Sequence, residues 1–209
     1  MTSDPQAMDD DRPLTKSELT RERILDSAAK VFRRQGYSAK LSDIAAEAGL
    51  QAGSLYYHFD GREALVAEVL HRGTAMAWAR VRKALAALDD EASDIDRLRT
   101  ALAAHAAAVL ERDDYPAAHN RIFSMAPDEV RRTEIAHQKA YGDDLHRLFE
   151  AAIASGELRD DIDAPAVRML LFGAMNWTSE WFDPSGHRSA ADITDQLITM
   201  AFDGLRPRD

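Results

Sequence analysis

The 209-residue chain contains no cysteine, which excludes disulfides, thiolate-held metals and cysteine nucleophiles and leaves nothing that calls for an oxidising compartment. It has no apolar run near the roughly 20 residues of a membrane span. Its first residues, MTSDPQAMDDDRP, lack the apolar centre of a secretory signal. A cytoplasmic protein without a membrane partner is expected. Also missing are a glycine-rich phosphate loop, a nucleophile elbow, an HExxH pair and a recognisable pair of catalytic carboxylates. His105, His119, His137 and His146 have no paired ligand spacing, so they read as solvated or hydrogen-bonded side chains, with no metal or cofactor implied, and the chain reads as a non-enzyme.

Alternation of apolar and polar residues bounded by turn signals is absent as well, whereas apolar residues recur at three and four throughout. The chain is therefore expected to be all-α. Thr15 and Glu18 have capping-box spacing, Ile24, Ala28, Val31 and Phe32 form one stripe, and Gly36 supplies a stop, predicting a first helix over 17–35. Short helices are expected over 41–48 and 52–59, and a long one over 62–88. Further helices are expected near 94–112, 116–125, 127–154, 164–182 and 189–205, with boundaries marked by Pro116, Pro127, Gly156, the Asp163–Ala164–Pro165 start and the Pro184–Ser185–Gly186 turn. No internal repeat or low-complexity linker separates the parts. The organisation predicted is an acidic disordered tail over 1–14, a small unit over 15–62 and a larger one over 63–209.

A net charge of −10 is distributed unevenly. Residues 1–11 carry four acids and no bases, residues 12–62 carry nine Lys or Arg against six Asp or Glu, and residues 63–209 carry 17 against 26. Local basic surface, rather than the sum over the molecule, sets affinity for phosphates. Within the basic unit, residues 41–59 read LSDIAAEAGLQAGSLYYHF. Ile44, Ala45 and Ala48 would face inward on one short helix, Gly49 suits a turn with positive φ, and Leu50 and Leu55 anchor the next helix. The exposed side of that second helix offers Gln51, Ala52, Gly53, Ser54, Tyr56, Tyr57 and His58. Hydrogen-bonding groups with little bulk at a helix start suit approach to base edges and phosphates in a major groove. Taken alone, a Tyr-Tyr-His-Phe cluster is more often core packing, and Leu55 and Phe59 are assigned there; the glycine turn and the positive balance favour the nucleic-acid reading for the rest.

The segments DIAAEAG, GSLYYHF and REAL resemble the TetR family of regulators over about residues 20–70. That resemblance implies a helix-turn-helix with a double-stranded DNA operator as partner. Gln51, Ala52 and Gly53 would lie nearest the bases, Tyr56 would touch base methyls or a phosphate, and His58 and Arg62 would hold phosphates. Ala52 replaces a basic residue frequent in the family. Ala39 stands where a threonine usually caps the second helix and contacts a phosphate, a role left to Ser38 or Lys40.

In the larger unit, APAVRMLLFGAMNWTSEWF over 164–182 has Val167, Leu170, Leu171, Ala174 and Trp181 on one face and Met169, Phe172, Gly173 and Asn176 on another, and the last helix repeats the pattern. Helices apolar on two sides point to a homodimer through a four-helix interface, against a thick monomeric core. The family resemblance implies the same. The stretch from Met175, with its Trp-x-x-x-Trp-aromatic-x-Pro-x-Gly pattern, resembles a branch of the family that senses acyl-CoA thioesters. Trp177 and Trp181 lie one turn apart and, with Phe123, Met125 and Met175, could line an apolar effector cavity. Arg121, Arg131, Arg132, Lys139 and Arg147 are available for CoA phosphates. The expectation is a ligand-responsive repressor; the rivals are a helical metal-dependent enzyme and a helical adaptor that does not bind DNA.

Overall fold

The computed structural model describes residues 12–206 except Arg112 and Pro184. Residues 1–11 of the expected acidic tail lie outside the described residues, while Arg12, Pro13 and Leu14 are exposed. The described residues form nine α-helices and no strand: α1 (Lys16–Gln35), α2 (Leu41–Glu47), α3 (Ala52–His58), α4 (Arg62–Ala86), α5 (Asp94–Leu110), α6 (Asp114–Ile122), α7 (Asp128–Ala154), α8 (Ala164–Trp181) and α9 (Ala190–Leu205), with a 3₁₀ turn at Phe123–Met125 between α6 and α7.

The helix ends have local causes. At α1 the Thr15 amide donates to Glu18 Oε2 at 2.7 Å and the Glu18 amide to Thr15 Oγ1 at 3.3 Å, so two otherwise orphaned amides are satisfied reciprocally. The α8 start is capped by Asp163, which accepts from the Ala166 amide at 3.0 Å. The sequence places the start of α6 at Pro116, but the helix begins at Asp114, since proline in a first turn removes no intrahelical hydrogen bond. Positive φ at Gly49, +66°, lets the chain reverse between α2 and α3 at a conformation strained for any other residue.

One apolar core joins α1, α2 and α3 to the first half of α4, to α6 and to the start of α7; it contains Ile24, Phe32, Ile44, Leu55, Leu70, Ile122 and Val130. Each large side chain buried there contributes about 1.5–3 kcal/mol relative to exposure. A second core, with Leu98, Phe149, Met175, Leu197 and Phe202, lies among α5, α7, α8 and α9. The two parts are joined through α4, and α6 forms a second link. Tyr115 Oη donates to Asp26 Oδ1 at 2.9 Å, and Arg33 lies 2.8 Å from the Asp114 carboxylate. Where α4 meets α6, a Cβ on Gly73 would stand 2.7 Å from both the Tyr115 carbonyl oxygen and the His119 Cβ. Only glycine permits that approach.

Candidate nucleic-acid interface and effector cavity

Ile44, Ala45 and Ala48 are buried as expected and seat α2 on α1, while Leu55 and Phe59 seat α3. The opposite side of α3 presents Gln51, Ala52, Gly53, Tyr56 and Tyr57 to solvent, with Ser54 and His58 half-buried. The Tyr57 and His58 rings meet edge to face at 5.1 Å. Lys40 is exposed at the start of α2 and supplies no side-chain cap. The Ser38 hydroxyl donates to the Gln35 carbonyl.

Arg62 is placed differently from the phosphate-facing position assigned to it. Its guanidinium donates to the carbonyls of Tyr37 and Ala39 and lies over the Tyr37 ring at 4.8 Å. These bonds tie the α1–α2 loop to the first turn of α4, so Arg62 positions the reading unit from behind. Arg21 and Glu68, and Arg72 and Glu22, pair between α1 and α4, fixing α1 against the helix that leads into the larger unit.

A cavity of about 590 Å³ lies between α4, α6, α7 and α8, with His105 of α5 in its wall. Ala77, Val109, Leu145, Phe123, Phe172 and Trp177 give it apolar surface. Of the five residues expected to line such a space, Phe123 and Trp177 do so. The other three are corrected: Met175 is wholly buried in the second core, whereas Met125 and Trp181 are exposed away from the lining. A one-sided apolar helix pattern does not separate core, cavity and outer surface.

Polar groups that the sequence did not single out converge on the same space. His105 Nδ1 and Tyr141 Oη are 2.8 Å apart. Arg168 Nε is buried without a hydrogen-bond partner among the described residues, the side chains of His105 and Asn176 interact with each other, and all three residues line the cavity. Buried polar groups left unpaired are costly, so this wall is suited to a ligand that brings hydrogen-bonding atoms. Burial pushes the His105 imidazole down to about 4, an effect the neighbouring Asn176 only partly offsets; at neutral pH it is an uncharged donor or acceptor. Among the five cations expected to serve an anionic ligand, Arg121 reaches the lining. Arg131, Lys139 and Arg147 instead pair with Asp128, Asp143 and Asp144, and Arg132 bonds the Asp128 carbonyl. Arg168 supplies the second cation, packed over Gly142, where a Cβ would come within 2.9 Å of its guanidinium.

The described residues thus combine a helix-turn-helix with an all-helical body that contains a cavity, the two joined through α4 and α6. Residues 24–69 match the family model for bacterial regulatory proteins of the tetR family, and residues 91–205, more than half of the chain, match the tetracyclin repressor-like C-terminal domain. The chain belongs to the TetR family. It is 27% identical over 194 residues to the HTH-type transcriptional repressor KstR2 of Rhodococcus jostii, covering 88% of this chain and 90% of that one. The structure of the TetR family regulator PfmR from Thermus thermophilus matches with a TM-score of 0.74 at 26% identity, over 88% of this chain and all of that one. AibR, solved in complex with isovaleryl coenzyme A and operator DNA, shares the fold with a TM-score of 0.78 at 24% identity, over 88% and 98% of the two chains. Among the described residues no helix is long and apolar enough to cross a membrane.

Proposed function

We propose that the protein is a repressor that binds a palindromic operator as a homodimer and is released by an apolar effector, an acyl-CoA thioester, held in the cavity. In this reading residues 15–62 read DNA and residues 63–209 sense the effector and dimerise. Gln51, Ala52 and Gly53 approach base edges, while Lys40, Ser54, Tyr56, Tyr57 and His58 contact backbone and base methyls. Arg62 acts through the loop it holds.

The observation that carries the reading is the cavity wall: α4 and α6 both line it and both pack directly on α1. An occupant that displaces either helix shifts the reading unit, and two reading units can engage two half-sites only at a fixed separation. The effector must therefore bind the DNA-incompetent arrangement more tightly. Apolar lining beside Arg121 and Arg168 suits an acyl chain joined to a phosphorylated carrier. AibR has been solved with such a compound, and a curated relative from Bacillus subtilis, 21% identical, is named a fatty acid metabolism regulator protein.

The dimer reading rests on α8. In the single chain Leu170 is 73% exposed, Trp177 66% and Trp181 53%, with Met200 of α9 at 70%. Such an apolar face is suited to burial against a second copy.

The test is titration of the protein–operator complex with acyl-CoAs of varied chain and with the matching free acids. Release by the CoA series is expected. Release by the free acids alone, or by neither series, overturns the thioester assignment and leaves the DNA-binding assignment standing. For the latter, Tyr56→Phe and His58→Ala are expected to weaken operator binding without altering thermal unfolding, and Gln51→Ala to change base preference.

A further inference from the structure

Outside the cavity lining, His71 of α4 meets Glu134 and His137 of α7, and one ligating atom from each lies within 4.8 Å of the other two. Glu134 and His137 are one turn apart; His137 Nδ1 is 3.6 Å from Glu134 Oε2. The His71 and His137 rings are in contact, with centroids 4.4 Å apart. Both histidines are exposed, whereas Glu134 is 2% exposed.

Glu134 is an unusual group to find between two helices. Its carboxylate accepts a hydrogen bond from Thr74 Oγ1 at 2.5 Å and forms no ion pair with Lys or Arg among the described residues. The cations available to it are imidazoles: His137, and His119 of α6 at 3.6 Å. A buried carboxylate requires a compensating charge. His119 serves one carboxylate oxygen and is itself held by Gln138, 2.9 Å away. That arrangement leaves unexplained why His137 stands at the other oxygen and why His71 brings a further imidazole to the same cluster. Protonating both would set two cations in ring contact, whereas a divalent metal engages both as neutral ligands and neutralises the carboxylate as well.

We propose that His71, Glu134 and His137 form a divalent transition-metal site that clamps α4 to α7. Two imidazole nitrogens and one carboxylate oxygen select zinc or a neighbouring borderline ion over magnesium or calcium, which take oxygen ligands. Bond lengths of about 2.0–2.1 Å place tetrahedral ligand atoms roughly 3.4 Å apart, close to the 3.6 Å already separating His137 Nδ1 from Glu134 Oε2. Three protein ligands leave a fourth position for water. Thr74 and His119, both touching Glu134, also line the cavity. The metal therefore braces one end of the wall on which the effector acts, on the helix that carries the reading unit, and bound metal changes operator affinity.

The full-length protein, free of any histidine tag and stripped with a chelator, is titrated with zinc chloride and with cobalt(II) chloride. Binding is followed by calorimetry, thermal unfolding and the visible absorption of low-coordinate cobalt. One equivalent per chain, a raised unfolding midpoint and a low-coordinate cobalt spectrum are expected in the parent. His71→Ala and His137→Ala, at exposed positions, are each expected to weaken zinc binding at least tenfold and to abolish the midpoint shift, with metal-free unfolding unchanged in His71→Ala. Glu134→Gln keeps an acceptor for Thr74 and is expected to lose the metal too. No uptake by the parent overturns the site. Parent-like binding by His71→Ala overturns the clamp between helices, and an operator affinity that is the same with and without zinc overturns its part in regulation.

Discussion

Arg62 has its terminal nitrogens on two backbone carbonyls, and this separates two readings of the same side chain. Arg62→Ala leaves the Tyr37 and Ala39 carbonyls unpartnered, which costs about 1–3 kcal/mol. The expected outcome is a lower unfolding midpoint and weaker operator binding with an unchanged salt slope; a direct phosphate contact would instead flatten the slope by about one unit. His105 gives a pH signature. Its unfolded value is the ordinary 6.5 and its folded value about 4, so between these limits the unfolded chain binds the extra proton and stability rises with pH. Stability from the neutral imidazole is complete above pH 6.5 and declines as pH falls toward 4, by at most about 1.4 kcal/mol per pH unit. Glu22 and Glu68, held low by their hydrogen bonds to arginine, and Glu134, which burial would raise but hydrogen bonds from His119 and Thr74 hold low, lose their contribution as pH falls through their ordinary value of 4.5. Denaturant midpoints measured from pH 7.5 to about 5.5 are therefore expected to fall in the parent and to stay nearly level in His105→Gln.

At the scale of helices, the α4–α6 crossing is held close at Gly73. Gly73→Ala improves helix propensity by about 1 kcal/mol, but its methyl meets a backbone carbonyl that cannot rotate away. Overpacking of this kind costs about 1–3 kcal/mol, and the net expectation is destabilisation together with an α6 pushed outward. Thermal unfolding and operator affinity, both lowered, check this; a variant at least as stable as the parent would show that α6 yields freely. Most elements were legible in the sequence because their signals are local: the Thr15–Glu18 box, the Gly49 turn and the Asp163–Ala164–Pro165 start each act within four residues. The crossing at Gly73 had no such signal, since its partner Tyr115 is 42 positions away and glycine inside an apolar helix pattern reads only as a weak point. Likewise His105, Tyr141, Asn176 and Arg168 come from three helices, and only packing brings them to one cavity. Met125, Met175 and Trp181 show the converse: periodicity identified apolar positions without saying which surface each would meet.

For the whole molecule, the exposed α8 face makes assembly the property most open to direct measurement. Leu170→Glu, on that face and outside the cavity lining, is expected to shift sedimentation from dimer to monomer and to weaken operator binding without lowering the helical content. A parent that sediments as a monomer would refute the interface. The continuity of the first core has a further consequence, for recombination. Leu65, Val66, Val69 and Leu70 of α4 and Tyr115, Ala118 and Ile122 of α6 complete the interior of α1–α3, so the unit that inheritance or engineering can exchange intact is not residues 15–62. A graft cut at residue 62 would set a foreign head on unmatched α4 and α6 surfaces. A viable chimera must carry those two stretches along with the head, and with them part of the wall of the proposed effector cavity, so that a change of operator preference made by such an exchange is expected to bring a change of ligand response with it.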